Sequence, residues 1–274
     1  MDSPDTLLNT VMPAFRGIVR EAGAIAMQYF QPGLKTSAQV WNKSGGSPVT
    51  EADMAVDAFL KTRLGELVPE AGWLSEETAD DARRLDKTLV WIVDPIDGTR
   101  SFAAGALDWS VSAALLADGA PMLGIVYAPA HEILYEASRG QGARRDGHAI
   151  AVPSGATLDQ MSVTGPKALV DQLEYAVGAF HRLPRIPSLA LRIARVADGS
   201  VDVTLVSSNA HDWDLAAADL ILHEAGGRLT GFDGARPAYN QPDPVHGELV
   251  AASRALHPQV IGAMTTRRAA SARR

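Results

Sequence analysis

Apolar residues recur at every third or fourth position from residue 6 to residue 30, and this spacing predicts a long amphipathic helix. Pro32 and Gly33 are expected to stop that helix, because both residues disfavour its continuation. A second helix is predicted to begin at Thr50, a favourable N-cap residue, with Asp53 placed as in a capping box. The first helix is expected to serve the packing of the core.

The hydrophobic pattern changes after residue 88 to short, nearly continuous apolar runs. Strands are predicted at 89–93, 109–116, 122–127 and 133–137. Asp118-Gly119 separates two of these runs and is typical of a hairpin turn, so neighbouring strands are expected to pair antiparallel. The pattern therefore predicts an antiparallel sheet in the N-terminal half.

From about residue 151 the pattern alternates between strands and helices, which is typical of an α/β arrangement. The segments are 162–164, 171–177, 188–196, 201–206, a helix at 214–225 and a last strand at 249–252. We expect an N-terminal half at 1–150 and a C-terminal half at 151–266. The remaining segment, 267–274, is a basic tail, and a chain end of this composition is expected to fray.

Composition is that of a globular protein, with 274 residues of which 46% are hydrophobic and 21% charged. The formal net charge of -7 argues against binding to a nucleic-acid polymer. Because the chain has no cysteine, disulfides, thiolate nucleophiles and cysteine-ligated metal sites are excluded. The N-terminus is acidic and no stretch has membrane-spanning length, so we expect a cytoplasmic protein without a membrane partner.

The first predicted strand of the sheet ends in two carboxylates, Asp94 and Asp97. Pro95 stands between them, and since proline cannot extend a central ladder, the chain is expected to turn there. Gly98 lets the backbone approach a ligand closely, and Thr99 offers a hydroxyl. The stretch resembles a cradle for a cation and a phosphate, with aspartate oxygens and free amides as the binding groups. An ordinary Asp-Gly turn is the alternative, and it does not account for the paired acids.

The hexapeptide from Asp94 to Thr99, Asp-Pro-Ile-Asp-Gly-Thr, resembles the signature of the inositol monophosphatase family. These magnesium-dependent, lithium-sensitive phosphatases include the 3'(2'),5'-bisphosphate nucleotidases. Other features of the family follow in the right order between about residues 40 and 230. The resemblance implies a layered α/β (α+β) sandwich, with an antiparallel sheet in the N-terminal half and a smaller mixed sheet in the C-terminal half. Members of the family often form homodimers, and the sequence leaves this open.

Two acidic motifs precede the hexapeptide. A capping role alone would explain Asp53, whereas the resemblance implies that it accepts a hydrogen bond from Thr99. Glu76 and Glu77 would ordinarily form a solvated surface pair. The resemblance instead implies that Glu76 binds metal and helps to activate water, and that Glu77 supports Glu76 without binding the metal itself. The polar segment 42–48 is either a mobile lid or an ordinary connector.

A last motif, Trp213-Asp214, opens the helix predicted at 214–225. From the residues alone, the tryptophan is a core anchor and the acid favours the positive end of the helix dipole. The resemblance instead implies that Asp214 supplies the final carboxylate of the metal site, from the other half of the molecule. His211 and Asp212 have no matching role in the family, and they are interpreted as structural or substrate-adjacent.

The resemblance thus implies a site for two or three magnesium ions. The implied metal ligands are Glu76, Asp94, the Ile96 carbonyl oxygen, Asp97 and Asp214. The implied catalytic residues are Glu76, Thr99 and Asp53, and the implied substrate contacts are Asp97, Gly98, Thr99, Arg100 and Asp214. An all-oxygen ligand set suits magnesium, and cations would offset the repulsion among converging carboxylates.

Two departures from the family pattern bear on the substrate. Arg100 follows the hexapeptide where inositol monophosphatases commonly carry threonine or serine, and it is closer to the basic residue of the bisphosphate nucleotidases. Ser207 to Asn209 stand near a position where inositol phosphatases commonly carry an acid. We therefore predict 3'-phosphoadenosine 5'-phosphate as the substrate, with inositol-1-phosphate as the main alternative and sugar bisphosphates or histidinol phosphate also open. A non-catalytic, metal-dependent binding protein is an alternative of another class, and the complete acidic set argues against it.

Overall fold

A computed structural model of the protein describes residues 4–43 and 48–271. Residues 44–47 belong to the polar segment 42–48, so the choice between a lid and a connector lies outside the described residues. The same is true of the last three residues of the predicted tail.

Helices and strands alternate along the described chain. The α-helices are α1 (Pro4–Met27), α2 (Glu51–Leu67), α3 (Thr99–Ala103), α4 (Lys167–Val177), α5 (Leu189–Ala197), α6 (Asp212–Glu224) and α7 (His257–Ser271), and 3-10 helices span Ala82–Asp86 and Pro129–His131. The strands of the first half are β1 (Val40–Asn42), β2 (Pro48–Thr50), β3 (Gly72–Ser75), β4 (Leu89–Asp97), β5 (Ser110–Ala117), β6 (Ala120–Ala128), β7 (Ile133–Ser138), β8 (Ala143–Arg145) and β9 (His148–Ile150). The strands of the second half are β10 (Ser162–Thr164), β11 (His181–Arg182), β12 (Val203–Val206), β13 (Ala210–His211), β14 (Gly227–Gly231), β15 (Val245–His246) and β16 (Leu249–Ser253).

The larger sheet has seven strands in the order β3-β4-β5-β6-β7-β8-β9. From β4 to β9 it is an antiparallel meander, and β5 and β6 form the predicted hairpin around Asp118-Gly119. The prediction of a purely antiparallel sheet is wrong at one edge, because β3 pairs parallel to β4. The segment 76–88, which includes a 3-10 helix, carries the chain back to the same end of the sheet, as a parallel pair requires.

The smaller sheet has five strands in the order β11-β10-β12-β16-β14. Strands β11, β10 and β12 run parallel, whereas β12, β16 and β14 pair antiparallel. The mixed sheet expected in the C-terminal half is therefore confirmed. Two further ribbons, β1 with β2 and β13 with β15, lie outside both sheets.

The two sheets and the helices form five layers. Helices α1 and α2 cover one face of the larger sheet, where Trp91 and Val93 are buried. Val90 and Ile92 alternate with them and pack toward α5 and α6, so both faces of β4 are buried and its sequence is continuously apolar. Helices α5 and α6 also pack on the smaller sheet, whose far face is covered by α4 and α7. The two predicted halves share this middle helix layer, and the boundary at residue 150 stays a prediction.

Two helices differ from the sequence prediction. Helix α1 ends at Met27, before Pro32, because the chain already turns at residues 28–29. Helix α7, which the sequence analysis did not predict, continues to Ser271 and so covers 267–271 of the segment expected to fray. Within the described residues, no helix is both long and apolar enough to cross a membrane.

Candidate active site

The carboxyl end of β4 carries the first two acids of the site. Asp94 pairs with Ser112 of β5 and Asp97 with Ser110, so three steps along β4 face two steps along β5. Residues three apart on a regular strand point to opposite faces, and this bulge returns both aspartates to the same side. The predicted turn at Pro95 is therefore a bulge inside the strand, where proline interrupts the ladder without ending it.

The chain turns sharply at Gly98, which follows the second aspartate. Its φ of +94° lies in the left-handed region, and an added Cβ would meet the Asp108 carbonyl oxygen at 3.3 Å and the Ser188 amide nitrogen at 3.3 Å. Only glycine fits both the backbone conformation and this close approach. The turn places Thr99 at the start of α3, beside the acids.

Asp97 links the larger sheet to a helix of the second half. Its Oδ2 accepts hydrogen bonds from the Ser188 hydroxyl at 2.6 Å and from the Ala190 amide at 2.6 Å. Ser188 is the N-cap of α5, so the aspartate binds the first turn of that helix. The Ser110 hydroxyl lies 2.9 Å from that of Ser188 and extends the network beneath the acid. These bonds fix Asp97 and couple its position to α5.

Asp214 approaches the same point from the start of α6. Its Oδ2 accepts the His211 backbone amide at 2.6 Å, as in a capping box. One carboxylate oxygen from each of Asp94, Asp97 and Asp214 can be chosen so that all three lie within 4.8 Å of one another. Asp214 therefore lies in the first turn of α6, where the sequence predicted that an acid favours the helix dipole, and it also converges with the β4 acids.

Burial and mutual repulsion raise the pKa values of these acids. Burial, followed by the charges of Glu76, Asp97 and Asp214, raises the pKa of Asp94 well above its usual range. Burial raises the pKa of Asp97 to about 6, although the bonds from Ser188 and from the α5 amides oppose the shift. Burial and the charge of Asp97 raise the pKa of Asp214 well above its usual range. The three converging carboxyls resist ionisation when no cation is near them. They suit a divalent cation, which would stabilise their charged forms.

Glu76 lines the same cavity but is engaged by a lysine. The Lys43 ammonium lies 2.8 Å from Glu76 Oε1 and 2.8 Å from Glu77 Oε1. Burial lowers the pKa of Lys43, and the two glutamates outweigh it, so the pKa is raised overall. Burial raises the pKa of Glu77 to about 7. Lysine thus supplies positive charge to the two glutamates, and this pairing was not foreseen from the sequence.

The segment after β3 is held by an aspartate that sequence reasoning missed. Asp57 of α2 accepts the Ser75 hydroxyl at 2.5 Å and the Thr78 hydroxyl at 2.6 Å, on either side of Glu76. Asp57 stands four residues after Asp53, on the same face of the helix. A second acid at that helical spacing was the signal that could have found it.

Asp53 has both roles that were weighed for it. Its Oδ2 accepts the Thr50 amide at 2.8 Å and the Thr50 hydroxyl at 2.6 Å, which caps α2. Its Oδ1 lies 3.2 Å from Thr99 Oγ1, which is also 3.0 Å from the Ile96 carbonyl oxygen. Burial raises the pKa of Asp53 to about 6. The threonine hydroxyl is therefore held between a carboxylate and the predicted carbonyl ligand.

Two arginines line the mouth of the cavity, whose volume is about 260 Å³. Arg100 was predicted as a substrate contact, and Arg185, just before α5, was not singled out. Among the described residues, no carboxylate lies within ion-pair distance of either guanidinium. The remaining lining residues are Pro48, Glu76, Asp94, Asp97, Gly98, Thr99, Pro187 and Asp214. Acids and free cations thus share one small cavity.

The sequence matches the inositol monophosphatase family over residues 7–268. The chain belongs to this family. A histidinol-phosphatase of Mycobacterium tuberculosis is 36% identical over 226 residues, which cover 78% of this chain and 84% of that protein. A histidinol-phosphatase of Chlorobaculum parvum is 32% identical over 258 residues, which cover 90% of this chain and 93% of that protein. Among solved structures, the IMPase of Thermotoga maritima has a TM-score of 0.80 and 26% identity, covering 96% of this chain and 97% of that one.

Membership of the inositol monophosphatase family makes the chain a phosphoric monoester hydrolase that acts on small phosphorylated substrates. The family depends on magnesium in general, and the acidic cluster of this chain is compatible with that dependence. The alternative of a non-catalytic binding protein is therefore not supported. The predicted fold class is confirmed by the solved structure from Thermotoga maritima.

A buried cation behind the acids is a further feature of this family member. Arg192 of α5 is 2% exposed, and its Nε has no hydrogen-bond partner among the residues that the structure describes. Burial and the charge of Arg185 lower the pKa of Arg192 to about 10, whereas Asp97 and Asp214 act in the opposite direction. Its positive charge offsets part of the repulsion within the acidic cluster.

Without metal, the buried acids of the site are expected to contribute more stability at pH 5.5 than at pH 8. Free carboxyls have a pKa of about 4, and burial raises those of Asp53 and Asp97 to about 6 and that of Asp94 further. The native state therefore binds more protons than the unfolded state, and stability falls as pH rises through the native pKa values. Urea unfolding of metal-free protein across this range measures the effect. Asp94→Asn is the control, because it should raise metal-free stability at pH 8 and flatten the pH dependence; an unchanged slope would contradict the account.

Proposed function

We propose that the protein hydrolyses the phosphate monoester of a small substrate that carries a second phosphate, as 3'-phosphoadenosine 5'-phosphate does. The observation that carries this proposal is the pairing of three converging aspartates with two arginines free of carboxylates in one cavity. One phosphate belongs beside the acids, where the metal ions would bind it. Arg100 and Arg185 then offer charge-assisted hydrogen bonds to the other phosphate.

We assign the acids at the inner end of the cavity to magnesium. The proposed ligands of two or three ions are Glu76, Asp94, the Ile96 carbonyl oxygen, Asp97 and Asp214. When bound, magnesium supplies an activated water and neutralises charge on the phosphate and on the leaving oxygen. Asp94 and Asp97 would hold the ions from the carboxyl end of β4, Glu76 from the end of β3 and Asp214 from the start of α6, since all four residues line this cavity.

Thr99 and Asp53 are assigned to the attacking water. Thr99 Oγ1 is held 3.2 Å from Asp53 Oδ1, so the threonine can accept a hydrogen bond from water while donating its own proton to the carboxylate. Asp53, with a pKa of about 6, is mostly ionised near neutral pH and can take up the proton. Glu76 is assigned to the same water from the other side. Attack on phosphorus by this water breaks the ester bond and needs no phosphoenzyme.

Arg100→Thr and Arg185→Thr are each expected to lower kcat/KM for 3'-phosphoadenosine 5'-phosphate by about 10- to 150-fold, the effect of losing a charge-assisted contact of about 1.5 to 3 kcal/mol. Steady-state phosphate release measures the change. Inositol-1-phosphate, which has one phosphate, should be affected much less, and exposed Arg144→Thr should affect neither substrate. Equal losses on both substrates would remove the second phosphate from the proposal.

Histidinol phosphate is the second candidate substrate. It is favoured by the two histidinol-phosphatases that are 36% and 32% identical to this chain over most of its length. A panel of histidinol phosphate, inositol-1-phosphate, fructose-1,6-bisphosphate and 3'-phosphoadenosine 5'-phosphate at saturating magnesium separates the candidates. A kcat/KM at least about tenfold higher for histidinol phosphate than for the nucleotide, a difference of about 1.4 kcal/mol, would replace the first proposal by the second.

A further inference from the structure

A buried arginine of the first half binds a loop of the second half. Arg84 lies in the 3-10 helix Ala82–Asp86, and its side chain is 1% exposed. Its Nε and Nη2 bond both oxygens of Asp80, at 2.7 and 2.9 Å. The guanidinium also donates to Asn240 Oδ1 at 2.7 Å and to the Gln241 carbonyl at 2.9 Å. One side chain thus ties the segment that follows Glu77 to the loop at 239–246.

The loop in turn holds the first residue of α6. The backbone amide of Asn240 donates to Asp212 Oδ2 at 2.8 Å, and His246 Nε2 lies 2.7 Å from Asp212 Oδ1. The Asp212 amide donates to the Pro244 carbonyl at 2.9 Å. Asp212 is fully buried, and both of its carboxylate oxygens are used by this loop. The start of α6 is therefore bonded on several sides, two residues before Asp214.

We propose that Arg84 and Asp212 are positioning residues that hold Asp214 where it can bind magnesium together with Asp94 and Asp97. The inference rests on the proposed function, because it takes Asp214 as a metal ligand. Repulsion among the three acids would push the start of α6 away from β4. The chain from Arg84 through Asn240 to Asp212 opposes that displacement, and it runs from the half that carries the other two acids.

The hydrogen-bond network is placed to orient the start of α6, and it is not needed to attach α6 to the rest of the molecule. Leu215, Leu220 and Ile221 of α6 are buried in the core between the sheets, so apolar contacts already hold the helix to the molecule. Those contacts include Leu215, next to Asp214, but apolar contacts are not directional, whereas a satisfied, buried hydrogen-bond network has one preferred geometry. Partners that orient metal ligands typically change metal affinity or activity by about 10- to 100-fold when they are removed.

Isothermal calorimetry of magnesium binding tests the proposal with Arg84→Lys and Asn240→Gly. Lysine has three donors and no planar fork, so it cannot replace the four hydrogen bonds that Arg84 makes to Asp80, Asn240 and the Gln241 carbonyl. Glycine keeps the left-handed backbone at Asn240, where φ is +56°, and removes the side chain that accepts from Arg84 Nη1 at 2.7 Å and donates to the Arg84 carbonyl at 3.4 Å. Each variant is expected to bind magnesium about tenfold more weakly, while kcat at saturating magnesium stays within about threefold of wild type. If Arg84→Lys does not fold, Asn240→Gly decides.

Arg16→Lys is the matched control for a merely structural effect. Arg16 forms a comparable two-bond pair with Glu136, at 2.6 and 2.9 Å, between α1 and β7. Its loss should lower the melting temperature and leave magnesium affinity unchanged.

Because Arg84 and Asp212 act through one loop, Arg84→Lys combined with Asp212→Asn should weaken magnesium binding by about tenfold and not by about 100-fold.

Magnesium affinity within about twofold of wild type in folded Asn240→Gly and Arg84→Lys overturns the inference. Asp214→Asn, measured in the same way, separates this failure from a failure of the proposed function. If Asp214→Asn weakens binding and the positioning variants do not, only the inference is wrong. If Asp214→Asn also leaves binding unchanged, the assignment of Asp214 to the metal is wrong as well.

Discussion

Removal of magnesium is expected to lower phosphate release by at least about 1000-fold, because the ions would supply several kcal/mol of transition-state stabilisation. In this protein the requirement has a structural reason. Asp94 and Asp97 are buried, Asp214 is half-buried beside them, and the pKa of each carboxyl is raised. Without cations, some of these groups are protonated and cannot bind phosphate or water in the proposed way. Phosphate release after dialysis against a chelator, and again after magnesium is restored, measures the effect.

Melting temperature provides an independent readout of the same site. A ligand that binds only the native state stabilises it by about 2.7 kcal/mol at 100 times its Kd. Saturating magnesium should therefore raise the melting temperature above that of the chelated protein. Asp94→Asn should reduce this gain, since it removes a ligand together with part of the repulsion. A melting temperature that does not respond to magnesium, with full activity in chelator, would contradict the proposed site.

The sequence predicted the local elements of the site better than their assembly. The apolar run before Asp94 predicted β4, and the Thr50 cap predicted the start of α2, because strand burial and helix capping are short-range effects. The bulge between Asp94 and Asp97 was read as a turn, since proline signals an interrupted ladder without saying whether the strand continues. The convergence of Asp214 with these acids was expected only from the family resemblance.

Contacts between distant segments were beyond prediction from the sequence. Lys43 meets Glu76 and Glu77 across more than thirty residues, and Arg84 meets Asn240 across more than 150. No periodicity or local motif encodes such pairs, which depend on how the sheets and the middle helix layer pack. The parallel pairing of β3 with β4 was missed for a related reason. The segment between them contains only a short 3-10 helix, which the hydrophobic pattern does not mark.

Asp214→Asn is expected to lower kcat/KM by at least about 100-fold, with most of the fold stability retained. Asparagine keeps a side-chain oxygen, which can still accept the hydrogen bond from the His211 amide. What is lost is the negative charge that the C-terminal half brings to the cluster of Asp94 and Asp97. If Asp214 were only a helix-terminal acid, the variant should lose about 0.3 to 1 kcal/mol of stability and little activity.

Asp219→Asn is the matched control for Asp214→Asn. Asp219 lies on the same helix and is half-buried, but its carboxylate accepts a hydrogen bond from the Tyr239 hydroxyl at 2.9 Å and lines a different cavity. Asparagine keeps an acceptor for that hydroxyl, so the loop at 239–246 should stay bonded, and kcat/KM should remain near the wild-type value while stability changes. Added magnesium should restore only part of the activity of Asp214→Asn, because a neutral ligand changes both the occupancy and the geometry of the site. A folded Asp214→Asn protein that keeps more than about a third of wild-type kcat/KM at saturating magnesium would show that the first half of the chain builds the catalyst without α6.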